Sequence, residues 1–280
     1  MDSSIFFAVL AAAMLHAGWN ALIKIGLDRY LSVCLIQIGA GIAATCALPF
    51  LALPETAAWP WIILSALLHI GYNGFLAHAY KYGDLSQVYP LSRGSSPLIV
   101  ALIGVALLHE TLSWGQISGL LILVTGIWLM ALRTQKDSPF NTPLLLTALT
   151  TASFIAAYTL TDAVGARVNG DALSYAMWLF ATNGLVTLLV LVAMRGTAVL
   201  GKLGQHWKGG LSGGVMSLIA YSIVIWAMTL APVAVVSALR ESSVLFALLI
   251  GRLVLKESLP LLRILSCMVI LLGVVTLKLA

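Results

Sequence analysis

The chain has 280 residues, 61% of them hydrophobic and only 9% charged. A soluble domain carries about 25% charged residues, so this composition excludes a soluble globular fold and indicates an integral membrane protein. The formal charge of +5 comes from single Lys and Arg residues between apolar runs, with no aromatic–basic patch; this argues against a nucleic-acid partner and makes the charges signals of orientation.

A bilayer core about 30 Å thick requires about 20 apolar residues per helix. Ten runs meet that need, at 3–24, 31–53, 59–80, 86–108, 114–132, 141–163, 172–194, 209–230, 233–255 and 260–279. No stretch alternates with period two over barrel-strand lengths, which argues against a β-barrel. The N-terminal run has no basic start and is read as a first span, not a cleaved signal. Cys34, Cys46 and Cys267 lie in apolar runs without metal spacing and are expected to be small core hydrophobes.

In chain order, polar residues recur inside the spans. Span 1 carries His16, Trp19 and Asn20 at i, i+3 and i+4, one polar–aromatic face that Lys24 continues. Span 3 opens with Pro60 in its first turn and holds His69, Tyr72 and Asn73. Span 4 contains Arg93, Ser95 and Ser96 between Pro90 and Pro97, and ends near His109 and Glu110. Ser113 to Gln116 reads as a capping box opening span 5. Gly115 and Gly119 form a small-residue pattern there, for packing within the monomer or for a homodimer contact. The most polar connector, "RTQKDSPFNTP", falls near the midpoint. Span 6 has Tyr158 and, near its expected end, Asp162, which is either solvated, paired with Arg167 or functional. Span 8 has Tyr221 after the glycine pairs Gly209-Gly210 and Gly213-Gly214; span 9 has Arg240, Glu241, Ser242 and Ser243.

Two of these segments are copies. Ser92–Leu112 and Leu239–Leu259 align without a gap, matching Arg93 with Arg240, Ser95 with Ser242, Ser96 with Ser243, Gly104 with Gly251 and Glu110 with Glu257; Gly126 and Gly273 extend the match. The halves are therefore repeats, 1–135 and 136–280, of five spans each. An odd number of spans makes the repeats enter the membrane in opposite senses. Inverted repeats are a device of secondary transporters, with the substrate near the midplane between them. Lys24, Arg29, Lys81, Arg133, Lys136, Arg195, Lys202, Lys208, Arg252, Lys256 and Arg263 fall on one side, against Arg167 and Lys278 on the other. By the positive-inside rule both termini are expected outside a cell membrane crossed many times.

The two five-span halves, "SSPLIVALIGVALLHETLSWGQISGLLILVTG" with Pro97, Glu110, Gly119 and Gly126, and its counterpart "LVLKESLPLLRILSCMVILLGVV" resemble the drug/metabolite transporter superfamily, in particular its EamA-like ten-helix members. The resemblance spans the whole chain. It implies an all-α membrane fold and a central cavity lined by helices 1, 3, 4, 6, 8 and 9. It also implies export or exchange of small polar metabolites, such as amino acids or organic anions, by alternating access without ATP. The chain departs from the pattern where Val244 replaces the counterpart of Pro97 and in the expected position of the termini.

Polar groups inside a span face a bundle interior or a wet cavity. Arg93 and Arg240 are the foremost substrate-site candidates, since paired guanidinium groups bind carboxylate or phosphate; the competing reading is a structural pairing, with Glu241 as a partner for Arg93 or a titratable group. His16, Trp19, Asn20, Asn73, Tyr158, Ser96 and Ser243 complete the candidate set, with interhelical packing or hydrogen bonding as the alternative for each. Glu110 and Glu257 are expected to pin helix ends. No cofactor is expected, and no GxxxxGK[ST] loop is present for an ATP-driven pump. A membrane-embedded enzyme using His16, His69, His78 and His109 as metal ligands, and a non-transporting scaffold, are the alternative functions.

Overall fold

The computed structural model describes residues 1–22, 29–79, 81–82, 85–132, 142–253 and 261–280, and these are helical apart from short connections. The helices are α1 (Ser3–Leu22), α2 (Arg29–Ala47), α3 (Trp59–Ala79), α4 (Leu85–Leu107), α5 (Trp114–Leu132), α6 (Thr142–Asn169), α7 (Ala172–Arg195), α8 (Val199–Gln205), α9 (Trp207–Leu230), α10 (Val233–Arg240), α11 (Ser243–Leu253) and α12 (Leu261–Leu279). Lys24, Arg133, Lys136, Lys256, Glu257 and the junction of the two halves lie outside the described residues.

Eight segments among the described residues are long and apolar enough to cross a membrane: those in α1, α2, α4, α6, α7, α9, α10 with α11, and α12. This is a multi-pass membrane protein. The apolar stretch of α5, Trp114–Met130, is shorter. In α3 the polar His69, Tyr72 and Asn73 dilute an otherwise apolar sequence.

Local chemistry explains the helix ends. Asp2 Oδ1 accepts from Ser4 N and Ser4 Oγ, each at 2.7 Å, at the start of α1. These bonds hold its carboxyl below the usual aspartate range. The capping box opens α5: Gln116 N donates to Ser113 Oγ at 3.1 Å and Ser113 N to Gln116 Oε1 at 3.0 Å. Between α6 and α7 the chain turns at Gly170, with φ +72°, a conformation open to glycine. Asp171 then caps α7, accepting from Leu173 N and Ser174 N.

Three boundaries differ from the sequence reading. α2 stops at Ala47 because Pro49 cannot continue it, and a 3-10 turn follows. α6 runs to Asn169, so Asp162 lies inside the helix, fully buried, and neither solvated nor paired with Arg167. The ninth span is broken: Glu241 N and Ser242 N bond to Ala238 O and Leu239 O in tight three-residue turns, ending α10 at Arg240 before α11 starts at Ser243. Cys34 is buried, but Cys46 is exposed rather than in the core.

The packing pairs come in matched sets. α1 packs on α9 as α6 packs on α3; α2 packs on α9 as α7 packs on α3; α6 packs on α4 as α1 packs on α10 and α11. The pairs α2–α7, α4–α10 and α5–α12 are their own counterparts. Close approach at these crossings needs glycine. Gly41 and Gly184 face each other backbone to backbone between α2 and α7, and Gly214 lies against the backbone of Gly39 and Ala40. Gly126 packs on Ile270 and Gly273 on Leu123, so α12 covers the small-residue face of α5, and Gly115 and Gly119 meet Ala280 and Leu277 of the same chain.

The two ends of the bundle differ. Both termini lie at one end, where Lys278 Nζ donates to Met1 O and Ser3 Oγ. The main apolar core fills that end with Ile5, Phe6, Val9, Ala163, Ala166, Tyr175, Met228 and Val233. Polar ties also close it: Ser174 Oγ donates to Ala52 O, Glu55 N to Asn169 Oδ1, and Arg167 Nη2 to Glu110 Oε1 at 2.9 Å. Arg167 also donates to Met228 O, and Glu110 accepts from Val233 N, so two side chains join the ends of α4, α6 and α9 to the start of α10. This is the pinning role expected of Glu110.

Candidate functional site

Polar and aromatic side chains converge at the centre of the bundle. The C-terminal halves of α1 and α3, the N-terminal halves of α2 and α4, the middles of α6, α7 and α9, and the end of α10 surround a cavity with about 990 Å³ of empty space, its mouth included. It extends from the middle toward the end away from the termini.

Six of the ten sequence candidates line it: His16, Trp19, Asn20, Arg93, Tyr158 and Arg240. Arg93 and Arg240 are both buried, and the helix break brings Glu241 between them. Arg93 holds Glu241 with a two-point fork, Nε to Oε2 at 2.6 Å and Nη2 to Oε1 at 3.0 Å. Arg240 reaches Glu241 Oε1 only at 3.5 Å, from Nη2 and Nε. Consecutive residues on a regular helix do not share a face. The turn at residues 240–242 is what lets Arg240 approach the carboxylate of its own neighbour, Glu241, which Arg93 also holds.

The other four candidates do not line the cavity. Glu241 lies between the arginines, fully buried and outside the cavity lining. Ser96 Oγ donates to Arg93 O within α4, and Ser243 is buried at the start of α11. Asn73 Nδ2 donates to Gln37 Oε1 at 3.1 Å, an oxygen that Thr187 also supplies with a hydrogen bond. Asn73 is thereby engaged with a neighbouring helix and Ser96 with its own backbone.

An aromatic wall faces the arginines. His69 stacks on Tyr158 at 4.1 Å between ring centroids; Tyr72 and Tyr221 present edges to Tyr158, and Phe180 to Tyr221. The Arg240 guanidinium lies 5.8 Å from the Tyr221 ring centroid. On α1, Trp19 meets His16 edge to face at 4.9 Å. Asn20 Nδ2 is engaged with His16 O, and His69 Nδ1 with Ser65 O, each one turn back on its own helix. Behind the wall, Asp162 accepts from Tyr221 at 2.7 Å and Tyr175 at 3.2 Å.

Among the described residues, several polar atoms at the cavity find no protein partner for hydrogen bonding: His16 Nε2, Trp19 Nε1, Asn183 Oδ1 and Arg240 Nε. Buried polar groups are normally satisfied, so such a cluster marks a wet or ligand-binding space. Among the described residues, no three His, Cys, Asp or Glu side chains gather to hold a metal. Of the four histidines considered as ligands, only His16 and His69 line the cavity.

Sequence reasoning missed Gln37, Phe180, Asn183 and Ser217, which also line it. Gln37 and Asn183 carried a usable signal, a lone amide inside an apolar run. Phe180 carried none, since one more aromatic in a membrane span is indistinguishable from core.

A central polar cavity within paired helices suits a solute-handling protein, and sequence comparison agrees. The EamA-like transporter family profile matches residues 3–132 and again 142–279. The chain belongs to the EamA-like transporter family. It is also similar to the nicotine metabolites export pump subunit NepA of Paenarthrobacter nicotinovorans, 33% identical over 97 residues that make up 33% of this chain and 78% of that subunit. Among solved structures, one crystal structure superposes with a TM-score of 0.74 at 18% identity, covering 99% of this chain and 96% of the other; at that identity the match speaks to the fold alone. Family membership and the export-pump relative make this a membrane transporter.

Proposed function

We propose that the protein is a secondary transporter, exporting or exchanging a small polar metabolite such as an amino acid or organic anion by alternating access. In this reading ten spans form two inverted five-helix repeats, residues 1–135 and 136–280. The substrate binds in the cavity between them, and both termini face outward. The observation that carries the reading is the central cavity itself: it is lined from both halves and sealed at one end by the core and the Glu110–Arg167 latch, while it extends toward the other.

The matched packing pairs support a two-fold relation between the halves, and exchanging such halves turns a cavity that faces one way into one that faces the other. The twice-matching family profile, and a relative most of which fits a third of this chain, accord with a repeat as the unit.

The test is transport by purified protein in liposomes. Preloaded vesicles are offered labelled amino acids and organic acids in a counterflow assay, with and without an ion gradient. Counterflow of at least one solute class, without ATP, is the expected result. Absence of flux across the panel by monodisperse protein, or catalytic turnover of a solute in its place, would overturn the reading.

A further inference from the structure

The duplication supplies two arginines but one carboxylate. Arg93 and Arg240 occupy matching positions in the repeat, while the residue after each is Gly94 in the first half and Glu241 in the second. Glu241 gives both oxygens to Arg93 at 2.6 and 3.0 Å, leaving Arg240 a long hydrogen bond from Nη2 and an ion-pair contact from Nε, both to Oε1 at 3.5 Å. Yet Arg240 is 3% exposed, lines the cavity, and has an Nε that finds no hydrogen-bond partner among the described residues. A guanidinium has five N–H donors, and burying even one of them unpaired is costly. Asp162 makes no direct contact with this charge among the described residues: its two oxygens take the hydroxyls of Tyr221 and Tyr175. Tyr221 therefore stands between Asp162 and Arg240 and offers the guanidinium only its ring.

The surroundings add shape to the charge. Tyr158, Tyr72, Tyr221 and Phe180 form an aromatic wall beside Arg240, and Trp19 Nε1 is an N–H donor lacking an acceptor among the described residues. A planar acid group suits a guanidinium fork, and a ring suits an aromatic wall.

We propose that the two arginines have different tasks: Arg93 with Glu241 is a structural pair, and Arg240 is the docking cation for a monoanionic substrate, an aromatic carboxylate whose ring lies against the wall of Tyr158 and Tyr221. This rests on the transporter reading above, and narrows its substrate to one charge class.

The test compares a matched pair of probes, indole-3-acetate and its neutral amide, indole-3-acetamide, by calorimetry on the full-length protein in nanodiscs. The acid is expected to bind at least tenfold more tightly than the amide. Arg240→Gln is expected to bring the two affinities within threefold, and Arg240→Lys to keep part of the preference, since it keeps charge but loses the fork. Equal binding of acid and amide by the unaltered protein, no binding of either at millimolar concentration, or a preference that survives in Arg240→Gln would each overturn the proposal. The comparison in the unaltered protein decides even if a variant fails to fold. Counterflow of the same probes separates the two readings. Arg240-dependent binding without flux would remove transport and keep the site; flux of neutral or cationic solutes without acid binding would remove the anion site and keep transport.

Discussion

At the scale of single residues, Glu241 has the greatest energetic consequence. It is fully buried, with Arg93 bonded at two points and Arg240 at its margin. Removing one member of a buried ion pair leaves a charge unanswered and costs about 3–5 kcal/mol, whereas replacing both by apolar residues is often near neutral. Glu241→Ala is therefore expected to lose stability on that order in thermal unfolding, and the double variant Arg93→Met with Glu241→Met to lose less than either single change. A double variant as unstable as the sum of the singles would show that the pair contributes nothing as a pair. Asp162 belongs to a different network: its carboxylate takes tyrosine hydroxyls from two helices, so it joins α6, α7 and α9 without touching the arginines.

At the scale of elements, backbone proximity and helix ends decide behaviour. Gly214 of α9 lies so close to Gly39 and Ala40 of α2 that any Cβ would meet backbone. Backbone cannot rotate away as a side chain can, so Gly214→Val is expected to force the helices apart, costing about 1–3 kcal/mol or more. Fluorescence-detected size exclusion after graded heating checks this; Gly209→Val, where nothing lies near, is the control and is expected to match the parent. The Glu110–Arg167 latch makes a separate prediction. Arg167 holds two partners at once, Glu110 and Met228 O, and in alternating access these bonds must break for the terminal end to open. Arg167→Ala is expected to raise the labelling rate of a cysteine placed at Ala231 by a membrane-impermeant maleimide at least threefold. An unchanged rate would mean that the latch does not govern opening.

At the scale of the whole molecule, the distribution of Lys and Arg and the closure of the terminal end point the same way. Among the described residues Arg29, Lys81, Arg195, Lys202, Lys208, Arg252 and Arg263 lie at or near helix ends on the side toward which the cavity extends, so under the proposed orientation the cavity faces the cytoplasm. A protease site at the N-terminus is expected to be cut in intact cells and protected in inside-out vesicles. The reverse pattern would invert the assignment of both termini and, with it, the facing of the cavity. The covering of α5 by α12 also bears on assembly: the Gly115 and Gly119 pattern is occupied within one chain, so it is not available as a dimer face.

The membrane class, the repeat and most of the polar cavity residues were legible in the sequence, because each rests on composition or spacing. Few charges exclude a soluble surface, a gapless match reveals duplication, and a polar group in an apolar span announces itself by its cost. His16, Trp19, Asn20, Arg93, Tyr158 and Arg240 were found in that way. Which arginine Glu241 would choose was not legible. The answer depends on a helix break at residues 240–242 and on the approach of α4 to α10, and no local pattern encodes a contact between residues this far apart in the chain. The same holds for Asp162, taken from the sequence as a helix-end residue and shown by the longer α6 to be buried against two tyrosines. Spacing along a helix determines which face a residue shares; only the packing of the other helices determines what that face meets.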